Sequence, residues 1–132
     1  MRPALLGLTG LFVLIAARTP GAQAPDRDAI WIAPAHHSSR MNPFAGRTDA
    51  AAGGRKVFHQ RCASCHGGDG RGTPKAPNLT DRDVPSQTDG ALFWKISHGN
   101  AHTGMPAFSF LPEPQRWQLI LHLRALGAVT AR

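Results

Sequence analysis

The chain has 132 residues, 42% of them hydrophobic, which predicts one domain with an ordinary core. Its 14 Gly and 11 Pro point to long loops, and so to a small fold that needs a staple, a metal or a cofactor for stability. Fifteen basic residues against eight acidic give a net charge of +7, but they are scattered singly, with Arg55-Lys56 the only adjacent pair. That pattern argues against nucleic-acid binding and leaves either a solvated surface or a positive face for an acidic partner.

Residues 1–24 read as an export signal. Arg2 supplies the positive start, and Ala4 to Ala17 is apolar apart from Thr9. The stretch is short for a membrane span, which needs roughly 20 residues. Pro20-Gly21 breaks the helix, and Ala22-Gln23-Ala24 has the form of a cleavage site. Pro25 directly after it resists cleavage at that bond, so a shifted cut or a retained short anchor is the alternative. Residues 25–46, with Pro25, Pro34 and Pro43, show no helical period and predict an irregular arm whose only adhesive part is Ile30-Trp31-Ile32. The remainder, 47–132, is the predicted domain.

A first helix is expected from Thr48, as N-cap, to about Cys62, with Ala50, Gly54, Val57, Phe58 and Arg61 on one side. Gly53-Gly54 costs such a helix about 1 kcal/mol per glycine relative to alanine. That cost makes sense if another helix crosses at Gly54. From Gly67 to Ser86 the spacing predicts a long loop, and a loop of that length in a compact domain is expected to wrap something. A second helix is expected from Thr88, or with Asp89 as its cap, to His98, stopped by Gly99. After a further loop, a last helix runs from Pro112 to Leu126, with Gly127 as its stop. No segment alternates in a way that demands a strand.

The two cysteines, Cys62 and Cys65, are too few and too close to staple a fold, so their value is local chemistry. Cys62-Ala63-Ser64-Cys65-His66 has the C-x-x-C-H form for covalent haem attachment. At a helix end the two thiols reach the two vinyl groups on one porphyrin edge, and the adjacent His projects beneath the ring as an iron ligand. The rivals are weaker. A thioredoxin-like pair needs a βαβ setting, a zinc site needs two more ligands at a plausible spacing, and a simple disulfide is left as a minor alternative in an oxidising compartment. A sixth ligand is expected from Met105, in Gly104-Met105-Pro106, since thioether ligation raises the potential. His98 and His102 compete as ligands, and gap-filling in the core competes as a role for Met105. Met1 and Met41 are poorly placed. His59 reads as a surface residue, and Arg71 and Lys75 are available to haem propionates.

From about Asn42 to Leu126 the sequence resembles class I cytochrome c, and within it the small bacterial group similar to the cytochrome domains of cbb3-type oxidases. The matching residues are Gly54, Phe58, Cys62 to Gly67, Pro77-Asn78-Leu79-Thr80-Asp81, Gly104 to Phe108, and Arg116-Trp117 through Leu123-Arg124. The resemblance implies an all-α fold of three or more helices and long loops around one covalent haem c. Its first and last helices would cross, with Gly54 and Phe58 against Leu119 and His122. His122 departs from the Tyr common at that position, and a surface location is expected for it. Pro77 would accept a hydrogen bond from His66 Nδ1. Leu79, Phe93, Trp94, Ile96 and Phe108 would line the haem pocket, with Trp94 also able to reach a propionate, while Trp117 packs in the crossing.

The expected function is single-electron transfer between redox proteins with acidic docking surfaces, in the periplasm, by a monomer or a complex subunit that transforms no substrate. The alternatives are an electron-transfer subunit of a dehydrogenase or oxidase and, more remotely, a haem-based gas sensor, which needs a vacant sixth position.

Overall fold

A computed structural model describes residues 31–130. The expected export signal and residues 25–30 lie outside the described residues. Five helices occur among them: α1 (Ala35–Ser38), α2 (Thr48–Arg61), α3 (Ala63–His66), α4 (Asp89–His98) and α5 (Glu113–Thr130). Among the described residues there is no strand, and extended pairing is confined to the bridges Thr73–Ala76 and Asn100–Met105. The all-α expectation therefore holds.

The centre of the fold is the packing of α2 on α5. Ala50, Gly54, Val57 and Phe58 are the buried residues of α2, which is the predicted stripe without Arg61. Gly54 is there for closeness: a Cβ on it would overlap the carbonyl of Gln118 and stand 3.0 Å from the amide nitrogen of Leu119. Only hydrogen in place of a side chain lets the two backbones approach this far. Phe58, Leu119 and Ile120 are completely enclosed at this crossing. Each such side chain contributes on the order of 1.5–3 kcal/mol.

Three sequence expectations need correction. Thr48 is the first residue of α2 rather than its cap; Arg47 precedes it without a side-chain cap and pairs with Asp49 at 2.6 Å. Gly127 does not stop α5, which continues to Thr130. Its Cβ would stand 3.0 Å from Pro85 Cγ, so this glycine serves packing on the long loop rather than chain reversal. His122 is buried, not on the surface, with its ring 5.1 Å from that of Phe58.

The N-terminal arm is seated on the domain. Asn42 Nδ2 donates to the carbonyl of Trp117 (3.0 Å). Arg40 pairs with Glu113 at 2.6 Å. Thr88 Oγ1 donates to the carbonyl of Ser38 (2.7 Å) and accepts from Ala91 N (3.1 Å). One hydroxyl thus caps α4, as the sequence predicts, and binds the arm. Trp117 stacks on Phe93 with 4.1 Å between centroids. At the far end of the long loop, Arg124 reaches Asp89 (2.7 Å) and the carbonyls of Pro85 (2.7 Å) and Gln87 (2.5 Å), locking loop, α4 and α5 together.

Candidate cofactor site

The backbone breaks its helical path once, at Cys62, and resumes as the single turn α3. Cys62 N still bonds to Phe58 O (2.8 Å), while the carbonyl of Cys62 accepts from Cys65 N (3.1 Å) and His66 N (2.9 Å). The attachment motif is therefore fixed to the end of the best-packed helix. Both thiols are free, Cys62 partly buried and Cys65 exposed. Burial, with the neighbouring Cys65 second, pushes the Cys62 thiol up to about 11.

His66 is buried and oriented from the long loop. Its Nδ1 is 2.9 Å from the carbonyl of Pro77, so Nδ1–H donates there and Nε2 is left as the basic nitrogen. Nε2 has no hydrogen-bond partner among the described residues. Gly72 makes the Pro77 contact possible. It has φ +85°, its N–H bonds to His66 O at 2.8 Å, and a Cβ on it would stand 2.7 Å from Asn78 N and 2.9 Å from Pro77 C. The loop also returns through Leu79 N to Gly70 O (2.7 Å) and is pinned by Thr73 Oγ1 to Cys65 O (2.5 Å).

These groups open onto one cavity of about 610 Å³, within the range of cofactor sites. Cys62, Cys65, His66, Pro77, Leu79, Met105 and Phe108 all line it, as do Ile96, Leu92 and Leu123. Trp94 does not. At about 100° per residue it faces away from both Leu92 and Ile96, and it stacks on His98 with centroids 4.6 Å apart. Phe93 is also off the wall, taken up by its stack on Trp117. Of the rival ligands, neither His98 nor His102 lines the cavity, and His98 is held instead by its own helix through Trp94 O (2.8 Å). Met41 is exposed. Lys75 lies on the wall, whereas Arg71 pairs with Asp69 at 3.5 Å.

The lining fits the group that the motif implies. It is mainly apolar, as a porphyrin face requires. Its charged members are Arg61, Lys75 and Lys95, with no carboxylate among the described residues, which suits a cofactor bearing two propionates. Sequence reasoning missed Trp31, Lys95 and Phe110, all on the wall. Arg61 lies over the Phe110 ring at 5.7 Å, a contact between a helix and a loop that no local pattern encodes.

A family model described as cytochrome c oxidase, cbb3-type, subunit III, matches residues 49–123. The chain belongs to this family. Among curated relatives, the cbb3-type cytochrome c oxidase subunit FixP of Bradyrhizobium diazoefficiens is 36% identical over 81 residues, covering 58% of this chain and 28% of that protein. FixP of Bradyrhizobium sp. is 40% identical over the same length, with the same coverage. Subunit CcoP of Rubrivivax gelatinosus is 44% identical over 46 residues, 35% of this chain and 15% of that protein. The chain thus spans under a third of the length of these family members. Among solved structures, cytochrome cL of Methylophaga aminisulfidivorans superposes with a TM-score of 0.56 at 24% identity, over 64% of this chain and 58% of that one. The likeness establishes the fold as that of class I cytochrome c.

Proposed function

We propose that this chain is an exported c-type cytochrome that passes single electrons between protein partners and transforms no substrate. It would comprise a signal at 1–24, an arm at 25–46 and a cytochrome domain at 47–132, and would carry one haem c. The observation that carries the reading is the meeting of Cys62, Cys65, His66 and Met105 on one apolar cavity that is cationic and, among the described residues, free of carboxylates.

When bound, the haem would supply an iron that alternates between Fe(II) and Fe(III). Cys62 and Cys65 would hold it through thioethers. His66 Nε2 would ligate, with Pro77 fixing its tautomer and strengthening it as a donor. Met105 would fill the sixth position, keeping small ligands out and raising the potential. Leu79 and Phe108 would exclude water from the ring. Lys75 and Lys95 would face the propionates. The excess of basic residues supports steering toward partners with acidic surfaces, at rates that fall as salt rises.

A second reading keeps the same site but makes the chain a subunit of an oxidase or dehydrogenase in the periplasm, soluble or tethered. It is favoured by the names of the FixP and CcoP relatives. Co-purification with a larger complex would select it.

The test is a visible spectrum of the exported protein, oxidised, reduced, and reduced under carbon monoxide. The expected result is low-spin c-type absorption, a weak far-red sulfur-to-iron band when oxidised, and no response to carbon monoxide. Met105→Ala is expected to abolish the far-red band, admit carbon monoxide and lower the potential. A wild-type protein that already binds carbon monoxide strongly would favour a sensor instead.

A further inference from the structure

Trp31 lies in the arm, ahead of the segment matched by the family model, yet it forms part of the cavity wall. Its Nε1–H donates to the carbonyl of Gly99 at 2.7 Å, across 68 positions of the chain. Its ring faces Lys95, with Nζ 4.5 Å from the centroid.

Gly99 is joined to the Met105 loop by backbone contact. It has φ +64°, and a Cβ on it would stand 2.5 Å from Pro106 C and 2.6 Å from Met105 O. The next residue, Asn100, closes the loop: Asn100 N donates to Met105 O (2.8 Å), Met105 N donates to Asn100 O (3.0 Å), and Asn100 Oδ1 accepts from His102 N (3.2 Å). The segment from Gly99 to Pro106 is therefore a closed unit that must shift together. On its α4 side it is held by Gly99 N to Lys95 O (2.8 Å) and Phe108 N to Ile96 O (3.0 Å). On the arm side the tie is Trp31, and the arm is itself fastened to α4 and α5 through Thr88, Glu113 and Trp117.

We propose that Trp31 is a positioning residue for Met105: its indole pins Gly99, and with it the closed loop, while its ring covers the adjoining rim of the cavity. This rests on Met105 as the sixth ligand. The arm is then a strap that keeps the weaker axial position filled.

The experiment uses full-length ferric holoprotein, with imidazole as the probe ligand and the far-red band as a second readout. Trp31→Ala is expected to weaken the band and raise imidazole affinity about two- to tenfold, the range of one hydrogen bond. Trp31→Phe keeps the ring without the N–H and should fall between Trp31→Ala and wild type; it decides the matter if Trp31→Ala yields no holoprotein. Ile32→Ala, at an exposed neighbour, should match wild type. Unchanged affinity and band in both Trp31 variants, while Met105→Ala binds imidazole far more tightly, would overturn the role of Trp31 alone. No far-red band in wild type, or equal affinity in Met105→Ala and wild type, would remove the Met105 reading and the strap with it.

Discussion

The His66 and Met105 parts of the cavity wall are built by different means. His66 ends the single turn α3, which is joined to α2 through Cys62, its ring is held by Pro77, and the two cysteines proposed to attach the cofactor precede it in sequence. Met105 sits on a loop closed by Asn100 and pinned from outside by Trp31. The first arrangement is rigid because it extends the best-packed helix crossing. The second depends on a few hydrogen bonds, each worth about 0.5–1.5 kcal/mol. Under the proposed ligation by His66 and Met105, the difference teaches that Met105 is the side expected to come loose first.

Four measurements would break or sharpen that contrast. The largest effect is expected from Cys62→Ser or Cys65→Ser, which should remove nearly all stable holoprotein after export, as haem stain on a denaturing gel would report. An equal loss in Met105→Ala would erase the contrast. Next comes Gly72→Ala, which forces a side chain into a positive-φ site against Asn78 N. It should cost about 1–3 kcal/mol in denaturant unfolding and raise the potential, because displacing the Pro77 carbonyl leaves His66 a weaker donor to the ferric state. An unchanged potential would mean that Pro77 does not tune the ligand. Asn100→Ala should cost about 1 kcal/mol or less globally, yet raise imidazole affinity, separating loop closure from overall stability.

The smallest effect concerns pH. Burial first, then His59 and Arg55, holds the His122 pKa below its usual 6.5, and its Nε2 is enclosed without a hydrogen-bond partner among the described residues. The unfolded chain therefore takes up this proton before the folded one. Stability contributed by neutral His122 is full above about pH 6.5 and is lost as pH falls from there toward the folded pKa. His122→Phe should flatten that slope in unfolding curves taken between pH 7 and pH 5. A slope identical to wild type would assign the titration to another group.

Much of this was legible in the sequence because the decisive signals are local. Cys62 to His66 carries its geometry in its spacing, and Met105-Pro106 sits in the loop after α4. Gly54 announces a close crossing because nothing else explains a glycine in that helix. What escaped depends on residues far apart. Trp94 looks like a pocket residue by composition, but the face of α4 that meets the cavity is chosen by Leu92 and Ile96. Gly127 reads as a stop until Pro85 is seen against it. Nothing adjacent to Trp31 reveals that its partner is Gly99.

The crossing at Gly54 also sets an order of events during synthesis. The partner of Gly54 is the backbone at Gln118, far downstream in the chain. Until the ribosome has passed that point, α2 has nothing to pack against, and an isolated helix of 14 residues is marginal in water. The Cys62–His66 segment that follows α2 is therefore carried on an unpacked helix until those later residues have been made. A chain truncated before Trp117 would keep both cysteines and His66 yet lack the residues that enclose Phe58.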